Sequence, residues 1–130
     1  MMMKSMSPNL MVESVEETIS FYEEKLGFIM VASVPSEQGG LQFGILVKDD
    51  LTLMVQEKNN FISEYPALET DKVKPSISLY IQTDDLDSLY DNLKAVHTIN
   101  TEMHTTFYGT KEFAILDNSG YVLTFTEEKK

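Results

Sequence analysis

Apolar and polar positions along the chain follow one succession of rhythms, and that succession occurs twice. Residues 9–12 form a short apolar run of strand type, which passes through Ser14 into a stretch with Val15, Ile19, Tyr22 and Leu26 at helical spacing. Residues 77–81 form a second such run, passing through Asp85 into a stretch with Leu86, Leu89, Tyr90 and Leu93. Ser14 and Asp85 stand 71 residues apart. Ser14 with Glu17 makes a capping-box pattern, and Gly27 supplies a left-handed stop. Strand-like runs follow each helix: 28–34, 41–47 and 51–56 in the first half, then one around 99–104, 113–116 and 121–125 in the second. Asp49-Asp50 and Asp117 to Gly120 carry the turn chemistry for hairpins. The pattern predicts an α+β fold of two tandem βαβββ modules, at about 7–58 and 76–127. The intervening residues 59–75 break the rhythm and read as a connection. Its Phe61, Tyr65 and Leu68 either fill the edge of the core or cover a pocket. A length of 130 residues suits a single domain over 1–130.

Composition narrows the function. The chain has no cysteine, which excludes disulfides, thiolate zinc sites and cysteine nucleophiles, and suits a reducing cytoplasm as the expected location. No run approaches the roughly 18 apolar residues of a membrane span, so no membrane partner is expected. The opening six residues lack the apolar core of a signal peptide and are expected to be a frayed tail. A net charge of −11 opposes nucleic acid binding. Part of the acid, Glu16, Glu17, Asp85 and Asp87, falls at helix starts, where the helix dipole favours it. The remainder is either a solvated surface or a field that attracts cationic ligands. No nucleophile motif surrounds the serines and the two histidines, so catalytic residues are not assigned. Gly39-Gly40 is too short for a phosphate cradle and precedes a strand.

Asn9-Leu-Met-Val, Phe21-Tyr22, Leu26-Gly27-Phe28 and the ending from Phe107 to Phe125 together resemble the vicinal oxygen chelate superfamily, which contains glyoxalase I, extradiol dioxygenases, and bleomycin- and fosfomycin-resistance proteins. The resemblance spans about residues 7–127. It implies that the two modules form a curved mixed sheet that cups a ligand cleft. In the metalloenzymes of that superfamily, four inward side chains, usually His or Gln and Glu, hold a divalent ion. The matching positions here are Ser7, Ser78, Thr124 and either Thr52 or Met54. None is His, Asp or Glu, so no metal is expected at these positions and no cofactor is implied. Gln56 is the nearest donor. A separate constellation is Glu102 and His104, two apart on one strand and hence on one face, with Glu112 near. Alternatively, His104 is a half-exposed strand residue, and His97 a cation at a helix end.

Strand alternation around the matched positions gives the expected lining of the cup: Asn9, Met54, Gln56, Tyr80, Gln82 and Thr124, with Phe107 and Tyr108 near its rim. Such a mixture of ring, thioether, amide and hydroxyl suits a small organic ligand, although each residue also fits ordinary sheet packing. Three functions stay open. The first is a metal-independent binding protein that sequesters or senses an organic molecule. The second is a glyoxalase- or dioxygenase-type metalloenzyme with a non-standard site. The third is an interaction protein whose cup is occluded. The resemblance also implies a homodimer, and the open edges of a curved sheet give it a physical motive.

Overall fold

The computed structural model describes residues 1–127. Eight strands and three α-helices run in the order β1 (Asn9–Val12), α1 (Val15–Leu26), β2 (Ile29–Pro35), β3 (Leu41–Lys48), β4 (Leu51–Glu57), α2 (Lys58–Glu64), β5 (Ser78–Thr83), α3 (Leu86–Val96), β6 (Thr101–Thr105), β7 (Lys111–Leu116) and β8 (Val122–Glu127). The strands form two four-stranded mixed sheets, ordered β1-β4-β3-β2 and β5-β8-β7-β6. In each, the first strand runs parallel to the last and the remaining pairs are antiparallel. The predicted βαβββ unit is therefore present twice, in two compact units at Met1–Lys74 and Pro75–Lys130. Both sheets are curved and open.

In the first unit, the α1 backbone starts where Ser14 Oγ accepts the Glu17 amide at 3.2 Å. It ends at Gly27, whose φ of 75° carries the chain out of the helix. Its apolar stripe, Val15, Ile19, Tyr22 and Leu26, is buried against Leu10, Val12, Leu46, Leu53 and Val55. Each such side chain contributes about 1.5–3 kcal/mol by leaving water. Gly44 on β3 lets the helix approach. A Cβ there would lie 3.2 Å from Ile19 Cδ1, tighter than ordinary packing.

The second unit repeats the plan. Asp85 caps α3, its carboxylate accepting the Ser88 amide at 3.1 Å and the Ser88 hydroxyl at 2.8 Å. These bonds hold the Asp85 carboxyl below its ordinary pKa. Leu86 and Leu93 bury against Phe113, Ile115, Leu123 and Phe125. Tyr90 stands edge-on to Phe113 at 5.1 Å. The β7–β8 turn forms as expected, with Asp117 Oδ1 accepting the amides of Ser119 and Tyr121.

The connection departs from its expected irregularity. It opens with α2, followed by a 3₁₀ turn at Pro66–Leu68. Phe61 is buried, while Tyr65 and Leu68 are exposed. The helix escapes a sequence reading because Asn59, Asn60 and Ser63 are weak helix formers and its cap is Glu57, outside the usual capping residues. Glu57 accepts the amides of Asn59 at 2.8 Å and Asn60 at 3.1 Å.

Candidate functional site

Each sheet has one face covered by its long helix, α1 or α3, and on the first sheet α2 meets part of the opposite face. On the first sheet, register places Asn9 opposite Met54 and Met11 opposite Gln56. These four therefore share the face away from Leu10, Val12 and Val55, the residues that meet α1. Asn9 Nδ2 donates to Gln56 Oε1 at 2.9 Å. Gln56 Nε2 donates to Asn60 Oδ1 at 2.7 Å and Glu64 Oε1 at 2.9 Å. Both N–H groups of the buried Gln56 amide are thus engaged, and it serves to orient Asn9. Asn9 Oδ1 is buried without a partner among the described residues. Asn60 and Glu64 escape a sequence reading because they lie on the unforeseen α2. Asn60 also lines a polar crevice of about 550 Å³ with Ser36, Gln38, Gln42, Glu57 and Ser63.

On the second sheet, Tyr80 lies opposite Thr124, and Gln82 opposite Thr126. The first sheet pairs Asn9 with Met54 in the equivalent place, so Met54 rather than Thr52 is the counterpart of Thr124. Tyr80 is 53% exposed and Gln82 is exposed. Phe107 is fully exposed, and its ring stands edge-on to Tyr108 at 4.9 Å.

The centre of this face is Glu112, 6% exposed. Its Oε2 accepts hydrogen bonds from the hydroxyls of Tyr80, Tyr108 (3.0 Å) and Thr110 (2.9 Å). Burial pushes the Glu112 carboxyl up, but the three hydroxyls and the neighbouring His104 together outweigh it and hold the carboxyl below its ordinary value. The same bond to Glu112, with burial, raises the phenol of Tyr108. Tyr80 and Tyr108 are thus brought together through a residue that the expected lining omitted. Alternation carries the signal, since Glu112 precedes the helix-facing Phe113 and so points to the face of Tyr80 and Thr124.

Glu102 and His104 do not share a face. Thr101 pairs with Ala114 and His104 with Glu112, so Glu102 and Met103 together oppose Phe113 alone. This bulge reverses the alternation. The Glu102 carboxylate accepts the Tyr90 hydroxyl at 2.5 Å on the helix side, whereas His104 lies beside Glu112 on the other. Among the described residues no group of three His, Cys, Asp or Glu side chains is placed to hold a metal ion. His97 caps the end of α3, its amide donating to Leu93 O and its ring Nε2 to Leu116 O at 2.9 Å.

The family model of the Glyoxalase/Bleomycin resistance protein/Dioxygenase superfamily matches residues 6–125. The chain belongs to that superfamily. No curated protein matches it. Among solved structures it is similar to a bleomycin-binding protein complexed with bleomycin, with 23% identity, a TM-score of 0.68, and 98% of this chain and 100% of that one covered. It is also similar to a glyoxalase-related enzyme from Clostridium phytofermentans, at 15% identity and a TM-score of 0.76 over 99% and 98%. TioX from Micromonospora sp. ML1 gives 15% identity and a TM-score of 0.73 over 97% and 99%. At these identities the likeness establishes the fold. The four positions that the resemblance matches to the ligands of the superfamily's metalloenzymes hold neither carboxylate nor imidazole. Ser7, Met54, Ser78 and Thr124 offer hydroxyls and a thioether where a hard cation requires carboxylate or imidazole. Among the described residues no helix is long and apolar enough to cross a membrane.

Proposed function

We propose that this superfamily member is a metal-independent protein that binds a small organic molecule on the sheet faces opposite α1 and α3, sequestering or sensing it. The observation that carries the reading is the pairing of an unsuitable metal donor set with faces that mix rings, amides and hydroxyls. Its expected contacts are Asn9, Met54 and Gln56 in the first module and Tyr80, Gln82, Phe107, Tyr108 and Thr124 in the second. The structural likeness to a protein complexed with bleomycin supports small-molecule binding as a use of this fold. In this reading both modules belong to one domain, and the chain works in the cytoplasm as a homodimer. The edge strand β2 supports the dimer, because it leaves Ile29, Val31 and Val34 exposed.

Native mass spectrometry of the freshly purified chain tests the binding, with elemental analysis of the same sample. A specific organic adduct at less than 0.1 metal per chain is the expected result, the threshold being an order-of-magnitude criterion for a vacant site. Stoichiometric zinc, iron, nickel or manganese would replace this reading with metalloenzyme chemistry. Sedimentation of a monomer at micromolar concentration would remove the dimer.

A further inference from the structure

We propose that the helix-free face of the second module is a site for an organic cation, with Glu112 as its counter-charge and the rings of Tyr80 and Tyr108 as its walls. The proposal rests on the small-molecule reading above and adds the chemical class of the ligand.

Glu112 is nearly buried, yet no Lys lies within ion-pair distance of it among the described residues. The adjacent Lys111 bonds Asp87 at 2.8 Å instead. The sequence contains no arginine, so no guanidinium can approach from elsewhere in the chain. Among the described residues His104, its ladder partner on β6, is the one basic side chain beside it. The Glu112 charge is held by three neutral hydroxyls and His104 rather than by a Lys ion pair, and a face built only for packing would carry an apolar residue there. The three hydroxyls converge on Oε2, leaving Oε1 outside that set of bonds.

The geometry around the charge fits a cation with carbon attached. Tyr80 and Tyr108 turn their hydroxyls to Glu112, yet they are 53% and 52% exposed, so their rings remain open to solvent. An ammonium between ring faces and a carboxylate gains both cation–π attraction and a counter-charge. Phe107, packed edge-on against Tyr108, extends the aromatic surface for the apolar part of such a ligand. The net charge of −11 raises the local concentration of cations and repels anions. The polar crevice of the first module has neither rings nor a comparably buried charge among its lining residues.

The test titrates the ¹⁵N-labelled full chain with benzyltrimethylammonium and, separately, with neutral benzyl alcohol, following amide shifts. Saturable shifts centred on Tyr80, Tyr108, Glu112 and Thr124 are expected for the cation, with an affinity at least tenfold above that of the alcohol. Glu112→Gln keeps the shape and an accepting oxygen for the hydroxyls while removing the charge. It should weaken the cation about tenfold and the alcohol much less. Equal binding of both probes to the wild-type chain would overturn the proposal without any variant, as would shifts located elsewhere or no shifts at all. Wild-type affinity for the cation in Glu112→Gln would also overturn it. If the alcohol binds these residues as well as the cation does, the small-molecule reading survives and the cation assignment falls. If the cation binds at Glu112 while native mass spectrometry finds no organic adduct, the assignment stands and the natural-ligand reading loses its support.

Discussion

Two residues show how conformation and charge are fixed one position at a time. Gly27 adopts a φ of 75°, where a side chain is strained, and an added Cβ would meet only the mobile end of Lys48 at 3.4 Å. Gly27→Ala should therefore lose about 1–2 kcal/mol from backbone strain alone, read from the urea midpoint. Glu112 carries the opposite kind of constraint, since its folded-state pKa lies below the ordinary value. A depressed carboxyl contributes stability that is present above its unfolded pKa, about 4.3, and lost as pH falls through the folded value. The stability difference between wild type and Glu112→Gln should shrink as pH falls below that value. A difference that grows in acid would mean that burial outweighs the hydroxyls. Tyr80 also belongs at this scale. Its exposed ring has little packing to lose, so Tyr80→Ala should cost less than the roughly 3–5 kcal/mol of a buried aromatic, while ligand retention falls further.

At the scale of elements, caps and alternation made most of the fold readable. Ser14, Gly27 and Asp85 occupy the boundary positions that their chemistry suggests, and the final hairpin turns on Asp117 as expected. Two features stayed hidden for physical reasons. The helix α2 has a single buried residue, Phe61, so no periodic stripe announces it. The bulge in β6 has no sequence mark, because either Glu102 or Met103 fits a strand, and only the ladder to β7 shows two residues opposing one. That single irregularity separated Glu102 from His104 and brought His104 to Glu112, where the sequence pattern alone had put Glu102 and His104 together. The helix makes its own prediction. Phe61→Ala should cost about 3 kcal/mol or more, whereas Tyr65→Ala, at an exposed position, should stay within about 1 kcal/mol. Equal losses by thermal melting would place the anchor of α2 elsewhere.

For the whole molecule, the two proposed associations respond to salt with opposite signs. Each copy carries −11, so self-association works against like-charge repulsion and a cationic ligand works with the field. Raising sodium chloride from about 20 to 300 mM shortens the Debye length from roughly 20 Å to under 6 Å. The dimer should tighten over that interval in sedimentation experiments, and benzyltrimethylammonium should bind more weakly. A shift of both in the same direction would show that electrostatics does not govern one of them.

The irregular pairing of two of the four edge strands has a consequence for solution behaviour. β2 shifts register between Met30 and Ala32 and again between Val34 and Pro35, and β6 shifts between Thr101 and His104. A strand with such interruptions presents a broken row of donors and acceptors, which makes it a poor template for the growing end of a fibril. The chain can then display Ile29, Val31 and Val34 without recruiting further copies into an endless ladder. Deleting Val31, which lies at the first shift, should remove that interruption and lengthen the regular part of this apolar edge. Thioflavin T fluorescence should then rise with a shorter lag than in the wild-type chain at equal concentration, even where the two unfold at the same temperature. Irregularity at the margin of the sheet would in that case be what keeps a charged, open-edged protein dispersed.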